Sequence, residues 1–275
     1  MKTMDRRAFL QAAAGLGMLS LAGCSSSGND QPAGDEGESF EYTLVKEGTL
    51  IVASDLDFEP LDFVKDGKPQ GLDVDLSNEI AKRLGLTCEY LEPQVFETII
   101  PTIKEGGVAD IGNSAFTITD ERKQDVDFTD PYLESGLAIA VKTSLGIVGG
   151  EDAIINMLNA PDMIIAVRPG TTGEDWVVNN IPEATIAQVE AVADCMAGVS
   201  SGQYHAFCAD LPVVAGQCSS AFTDCSVCLE IPTGDEYGIV VSKDNPGLTA
   251  AINAALAGII EDGTMASLKS KWLGV

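Results

Sequence analysis

From residue 49 onward, short apolar runs alternate with segments in which apolar residues recur at helical spacing. Residues 49–54 form a β-branched, apolar run typical of a buried strand, whereas Val74, Leu76 and Ile80 lie on one face of a helix. This pattern predicts strands at residues 49–54, 86–91, 109–112, 137–142, 163–167, 185–189, 205–209 and 237–242, and helices at 73–84, 96–104, 171–180, 191–200, 246–260 and 264–273. Strands that alternate with helices predict an α/β fold with mostly parallel sheets.

Polar side chains follow four of these predicted strands. Since ligands of such sheets bind beyond the carboxyl ends of strands, these segments are the candidate site. An arginine there can hold a carboxylate with two parallel hydrogen bonds, an aspartate can hold an ammonium group, and a helix N-terminus favours an anion. The set therefore suits a zwitterion, and its members are Asp55, Phe58, Arg122, Arg168, Thr171, Thr172 and Asp210.

The first residues have the pattern of an export signal. Arg6 and Arg7 precede an apolar run at residues 12–22, and Leu-Ala-Gly-Cys follows at residues 21–24. The run is shorter than the roughly 20 apolar residues of a membrane span. We predict a twin-arginine-like signal peptide at residues 1–23, with an ordinary signal as the alternative. We expect a lipid on Cys24, a flexible tether at 24–43, and an extracytoplasmic bacterial protein anchored to a membrane.

Charge and motifs exclude several classes of function. The 275 residues include 16 basic and 42 acidic side chains, a net charge of −26 that would repel nucleic acid and anionic lipid. Phosphate-loop, serine-hydrolase and zinc-protease motifs are absent from the sequence, and its single histidine, His205, falls in a strand pattern that favours a structural role. We therefore expect neither a metal nor a cofactor.

A set of short motifs occurs in a specific order and spacing. These are Ser-Asp-x-x-Phe-x-Pro at 54–60, Gly-x-Asp-Val-Asp-Leu at 71–76, Thr-Ile-Thr-Asp-Glu-Arg at 117–122, Val-Asp-Phe-Thr-Asp-Pro-Tyr at 126–132, Gly-Thr-Thr-Gly at 170–173 and Ala-Asp-Leu-Pro at 209–212. With them, the chain from about residue 48 to 274 resembles the family-3 extracellular solute-binding proteins, the polar-amino-acid receptors of ABC importers.

The resemblance implies a two-lobed type II periplasmic-binding fold, in which each lobe is a mostly parallel sheet flanked by helices. Lobe 1 would comprise residues 44–138 plus 236–275, and lobe 2 residues 139–235. Crossover segments near 137–141 and 233–237 would form the hinge, and closure would trap one amino acid. The partners implied are an ABC permease and its ATPase, and we expect a monomer.

The resemblance also implies roles for individual residues. Arg122 would bind the α-carboxylate with help from Thr117 and the backbone of Ala115, beside Ser114, and Asp210 would bind the ammonium group. Further contacts to the ligand would come from Phe58 and Phe96, which would sandwich its side chain, from Thr171 and Thr172, and from Asp55 and Arg168 at its far end.

An acceptor and a donor that face one group fit a carboxamide, so we expect glutamine first, a cationic amino acid second and glutamate third. Arg168 stands where glutamine-type members of the family carry lysine. The arginine keeps the positive charge of that lysine but not its geometry.

Other interpretations of the same residues remain open. An enzyme of this fold, similar to cyclohexadienyl dehydratase, would use a cleft carboxylate such as Glu174 or Asp175 as acid or base, and a ligand-sensing module would signal through a partner. We expect a binding protein and not an enzyme. Arg122 could instead pair with Glu121 or Asp125, and Asp210 could merely cap a helix.

Six cysteines follow Cys24, and five of them lie in the predicted lobe 2. An exported domain usually oxidises its cysteines, so structural disulfides or buried thiols are expected. Cys225-Ser-Val-Cys228 leaves metal and redox chemistry as alternatives, and the sequence does not decide which pairs form among Cys88, Cys195, Cys208, Cys218, Cys225 and Cys228.

Replacement of Cys24 tests the predicted anchor. Cys24→Ala should move the full-length protein from the membrane fraction to the soluble fraction of an expressing bacterium, because the acyl chains have no other attachment point. Ser26→Ala, two residues away, should leave the protein on the membrane. If Cys24→Ala remained in the membrane fraction, the anchor would be refuted.

Overall fold

The computed structural model describes residues 40–275, where it has thirteen strands and eight helices. The strands are β1 (Thr49–Ala53), β2 (Asp57–Phe58), β3 (Asp62–Lys65), β4 (Lys68–Gln70), β5 (Thr87–Tyr90), β6 (Ile111–Gly112), β7 (Asp127–Phe128), β8 (Leu133–Lys142), β9 (Ile164–Val167), β10 (Thr185–Gln188), β11 (Ala206–Asp210), β12 (Cys225–Tyr237) and β13 (Val240–Val241). The helices are α1 (Leu72–Arg83), α2 (Phe96–Glu105), α3 (Glu151–Leu158), α4 (Thr172–Asn180), α5 (Val192–Ser201), α6 (Leu211–Ser220), α7 (Pro246–Glu261) and α8 (Thr264–Leu273).

Two five-stranded sheets define two lobes. In lobe 1 the strand order is β5-β1-β6-β13-β7, and in lobe 2 it is β10-β9-β11-β8-β12. Within each sheet the first three strands run parallel, and the next strand is antiparallel to them. The predicted two-lobed α/β fold is therefore confirmed, with the parallel strands grouped at one side of each sheet.

The long antiparallel pair of β8 and β12 runs from one lobe to the other. Its register extends from Leu133 opposite Tyr237 to Lys142 opposite Cys225, with irregularities on either side of the segment 229–231. A side chain at Gly136 would meet the Ile231 carbonyl oxygen at 2.5 Å, so the close approach of the two strands requires glycine there. Both segments that we predict as the hinge lie in this pair.

Strand β12 was not predicted, and the reason is local. Pro232 and Gly234 fall within Cys225–Tyr237, and Gly234 has a φ of 72°. Such residues normally indicate a turn, but here they coincide with the register irregularity while pairing with β8 continues on both sides. Helix α3, strand β7 and the small sheet of β2, β3 and β4 were also absent from the sequence prediction, which included α6 only as a helix that Asp210 could cap.

The helices bury apolar faces against both sides of the sheets. In lobe 1, α1 and α7 place Leu76, Ile80 and Ile252 in the core, and α2 contributes Ile99 and Ile103 on the other side. In lobe 2 a separate core surrounds the helix residues Leu158 and Val177. This packing leaves the carboxyl ends of the parallel strands free to form a cleft.

Residues 40–43, which fall in the predicted tether, contact lobe 1. Tyr42 packs against the core, and the Asn245 amide donates to the Thr43 carbonyl at 2.8 Å. The predicted signal peptide, Cys24 and the remainder of the tether lie outside the described residues. Within the described part, no helix combines the length and the apolar composition that a membrane span needs.

The six cysteines of the described chain are free thiols. Burial raises the pKa of Cys88, Cys225 and Cys228 to about 11. A thiol with a raised pKa stays protonated at neutral pH, whereas redox-active and metal-binding cysteines need the thiolate. The structure therefore favours buried thiols among the expectations for these residues.

Candidate functional site

The candidate site lies between the lobes, where the parallel strands of the two sheets end. In lobe 1, neighbouring strands β1 and β6 lead into residues 54–56 and 113–115. In lobe 2, neighbouring strands β9 and β11 lead into Arg168 and end at Asp210. Hydrogen bonds from one set of loops to the other establish that the two sets face each other.

Asp55 and Arg168 form a buried ion pair between the lobes. The Arg168 Nη2 atom donates to Asp55 Oδ2 at 2.5 Å, and its Nε donates to the Glu190 carbonyl at 2.7 Å. Burial raises the pKa of Asp55, and the charge of Arg168 opposes that rise. A second bond between the lobes joins the backbone N–H of Val192, the first residue of α5, to Asp57 Oδ2 at 3.0 Å.

Arg122 also reaches across the cleft. Its guanidinium donates to the Thr117 carbonyl at 2.9 Å and to the lobe 2 carbonyl of Gly170 at 3.0 Å. Burial lowers its pKa, and the negative charge of Asp210 is the largest opposing influence. Asp125, one of the two alternative partners considered for Arg122, instead pairs with Lys104 at 2.6 Å.

Aromatic rings separate the two guanidinium groups. The Phe96 centroid lies 5.5 Å from Arg122 Cζ and 5.9 Å from Arg168 Cζ. Phe58 lies 5.3 Å from Arg168 Cζ, and Phe116 stacks on Phe96 with centroids 4.7 Å apart. Both arginines therefore gain cation–π attraction.

Asp210 lies at the N-cap of α6, but its side chain does not cap that helix. It accepts a hydrogen bond from the Tyr237 hydroxyl instead. Burial raises its pKa to about 6, and the bond from Tyr237 and the charge of Arg122 oppose the rise. The capping hypothesis for Asp210 is therefore wrong, and its buried carboxyl group stays the predicted partner of a ligand ammonium group.

Ser114 and Ala115 contribute through internal bonds. The Ser114 hydroxyl donates to Asp62 at 2.6 Å and accepts from the Asp55 backbone N–H at 3.2 Å. Ala115 has a φ of 50°, and its N–H donates to Asp73 at 2.7 Å. These hydrogen bonds hold both residues in the wall of the cleft.

Thr171 has a local role at the start of α4. Its hydroxyl donates to the Arg168 carbonyl at 2.8 Å and accepts from the Glu174 N–H at 3.3 Å, which makes it the N-cap. Thr172 is the first residue of that helix and is half-buried.

His205 lies away from these groups, and its Nδ1 accepts from the Ile164 N–H at 3.0 Å, the structural role expected of it.

Two residues that contact the candidate site residues were missed by the sequence analysis. Phe116 is fully buried. It lies between Ala115 and Thr117, two predicted ligand residues, and this position was the signal that could have identified it. Tyr237, which bonds Asp210 from 27 positions away, had no local signal because the contact arises from the pairing of β12 with β8.

With the geometry described, comparison with known proteins defines the class. The family model of the bacterial extracellular solute-binding proteins, family 3, matches residues 50–275, so the chain belongs to that family. The ABC transporter glutamine-binding protein GlnH of Bacillus subtilis (strain 168) is 28% identical over 261 residues, covering 93% of each chain. The L-cystine-binding protein TcyJ of Escherichia coli (strain K12) is 28% identical over 232 residues, covering 84% of this chain and 85% of the relative.

Solved structures agree with this assignment. An ancestral arginine-binding protein bound to glutamine aligns with a TM-score of 0.77 and 32% identity over 84% of this chain and 100% of that one. An ancestral amino acid-binding protein described as a precursor of cyclohexadienyl dehydratase aligns with a TM-score of 0.75 and 35% identity over 82% of this chain and 95% of that one. These relatives are binding proteins, and the family predicted from the motifs is confirmed.

The raised pKa of Asp210 predicts a specific dependence of stability on pH. Its folded pKa of about 6 exceeds the ordinary 3.8, so the folded state binds the proton more tightly than the unfolded state does. The resulting stabilisation is fully present below about pH 4 and is lost as the pH rises through about 6. Asp210→Asn should therefore reduce the slope of this part of the profile in ligand-free urea unfolding, and the contribution of Asp73, whose pKa is raised to about 7, should remain.

The exposed Asp130 provides the control, since Asp130→Asn should keep the slope of the unmodified protein. An unchanged slope in Asp210→Asn would mean that Asp210 is ionised throughout this pH range.

Proposed function

We propose that this protein is the extracytoplasmic receptor of an ABC importer, anchored by a lipid on Cys24, that captures a polar amino acid between its closing lobes. The permease and its ATPase would be its partners. The observation that carries this proposal is the convergence of Arg122 and Asp210 beside Phe58 and Phe96, in a chain of the family-3 solute-binding proteins. Arginine and aspartate in one cleft offer opposite charges to the two ends of a zwitterion.

Glutamine is the favoured ligand on electrostatic grounds. Asp55 and Arg168 are bonded to each other, so each already neutralises the other's charge. A cationic or an anionic side chain would have to disrupt this buried pair, which is costly. A carboxamide can donate to Asp55 and accept from Arg168 while the pair stays intact. Cationic amino acids rank second because the relatives include arginine-binding proteins, and glutamate ranks third.

An enzyme is the alternative that we do not favour. Glu174, one of the two carboxylates considered for acid or base catalysis, accepts from the Gly170 N–H at 2.9 Å and from the Gln188 amide. Partial burial and the charges of Glu121 and Glu174 raise the pKa of the other, Asp175, but it is exposed, whereas an acid or base must lie over the bound substrate. The relative described as a dehydratase precursor is itself an amino acid-binding protein.

Thermal melting against all common amino acids tests the proposal. Residues 40–275 would be unfolded and refolded to remove bound ligand. A ligand at about a hundred times its dissociation constant should add roughly 2.7 kcal/mol of stability. L-glutamine should raise the melting temperature, and Arg122→Ala should abolish this rise because the ligand carboxylate loses its charged partner.

Arg83→Ala is the matched control, since Arg83 pairs with Glu79 and Asp262 on the surface of lobe 1. It should keep the ligand-induced rise. If no amino acid stabilised the unmodified protein, or if Arg122→Ala retained micromolar binding, the proposed function would be wrong.

Replacement of Asp55 tests the basis of selectivity. Asp55→Asn should leave some amino-acid binding intact but change the ranking, because Arg168 then has an unbalanced positive charge that favours glutamate over arginine. Calorimetric titration with L-glutamine, L-arginine and L-glutamate measures the ranking. Asp66→Asn, on the exposed turn between β3 and β4, removes the same charge and should not alter it. An unchanged ranking in Asp55→Asn would remove Asp55 from the specificity pocket.

A further inference from the structure

Beneath the lobe 1 wall of the cleft lie two carboxyl groups that no ligand hypothesis uses. Asp62 and Asp73 are 0% and 1% exposed. Within residues 40–275, neither forms an ion pair with a basic side chain. Buried carboxyl groups without a charged partner are costly and rarely persist without a role. Their hydrogen bonds indicate what that role is.

Asp62 ties together the two loops that form the cleft wall, residues 54–56 and 113–115. Its Oδ2 atom accepts from the Ser54 hydroxyl at 2.6 Å and the Leu56 N–H at 3.0 Å in the first loop. The same atom accepts from the Ser114 hydroxyl at 2.6 Å in the second. Since Ser114 also accepts from the Asp55 N–H, one carboxylate oxygen sets how the two loops lie relative to each other.

Asp73 lies in the first turn of α1 and forms hydrogen bonds that hold the second loop, residues 113–115. Its Oδ2 accepts from the Ala115 N–H at 2.7 Å, where the backbone has a φ of 50°. Its Oδ1 accepts from the Tyr132 hydroxyl at 2.8 Å. The Asn113 amide donates to the Asp73 carbonyl at 3.1 Å and to Ser77 at 2.9 Å. The left-handed backbone at Ala115 is unfavourable for a residue with a side chain, so these bonds are needed to maintain it.

We propose that Asp62 and Asp73 are positioning residues of the ligand site, which fix the loops carrying Asp55 and Ala115 without contacting the ligand. This inference rests on the proposed function, because the loops matter through the amino acid that they would bind. It differs from a purely structural role by predicting a loss of affinity that is separate from the loss of stability.

The charge state of the pair is consistent with this role. Burial raises the pKa of Asp73 to about 7, and burial together with the charge of Asp73 holds the pKa of Asp62 well above its ordinary value. The other titratable groups that face the pair are Asp55, Tyr90, Tyr132 and Tyr237, and none of them is basic. A neutral amide of the same shape has one acceptor oxygen. At Asp62 that oxygen serves all three donors to Oδ2, and at Asp73 it keeps one of the two hydrogen bonds.

The experiment compares Asp62→Ala and Asp73→Ala with Asp62→Asn and Asp73→Asn in the purified protein. The dissociation constant for L-glutamine is measured at a temperature where each variant is folded, and amide hydrogen exchange is measured without ligand. The alanine variants should weaken binding by about tenfold or more, as expected for lost buried hydrogen bonds. They should also accelerate exchange at residues 54–56 and 113–115. The asparagine variants should restore affinity to within roughly threefold, the effect of about half of one such bond.

Asp110 supplies the matched control. It accepts backbone N–H groups from Val45 and Ile51 at 2.7 Å, but it precedes β6, away from the cleft loops. Asp110→Ala should lower the free energy of unfolding and leave the dissociation constant unchanged. Where an alanine variant fails to fold, Ser54→Ala removes one donor to Asp62 and should still weaken binding and accelerate exchange in residues 54–56.

The outcomes separate this inference from the proposed function. Alanine variants that bind L-glutamine as tightly as the unmodified protein, or asparagine variants as weak as the alanine ones, would overturn the positioning role. If the unmodified protein bound no amino acid, the proposed function would fail, and the exchange data would still test whether the two carboxyl groups fix the loops. Faster exchange confined to the two loops would support that part of the inference, and unchanged exchange would overturn it.

Discussion

The buried ion pair of Asp55 and Arg168 is the interaction on which the cleft depends. It joins residues 113 positions apart and lies between the two lobes. Removing two charges from water costs several kcal/mol for each ion, and only close geometry with further hydrogen bonds offsets that cost. Here the Glu190 carbonyl and the Phe58 ring supply further contacts to Arg168. The pair therefore specifies how the lobes meet more than it stabilises them.

The same principle explains how a strongly acidic chain places two arginines in its candidate site. The net charge is −26, but the cleft concentrates two arginines between aromatic rings. Interactions between exposed charges are screened over about 10 Å in salt solution, whereas buried pairs are screened much less. The local field at the ligand site thus follows from the few charges that the fold places there, and the surface charge has little influence on it.

Much of the fold was predictable because its signals are local. The helical periodicity of α1, α7 and α8 and the apolar runs of β1 and β9 reflect burial of one face or one strand, which short windows of sequence record. Strand β12 was missed because Pro232 and Gly234 resemble a turn, and only its pairing with β8 overrides that preference. For the site, the post-strand position of Asp55, Arg168 and Asp210 followed from the rule that ligands bind at the carboxyl ends of parallel strands.

The sequence by itself determined the family, the α/β alternation and the residue types available at each strand end. Only the tertiary structure decided what those residues do, since that depends on partners distant in the chain. It directs Asp210 to Tyr237 and engages Ser114 with the buried Asp62. Periodicity and motifs describe neighbours within a few positions, whereas hydrogen-bond partners and burial, which set the charge of a carboxyl group, arise only when distant strands pack together.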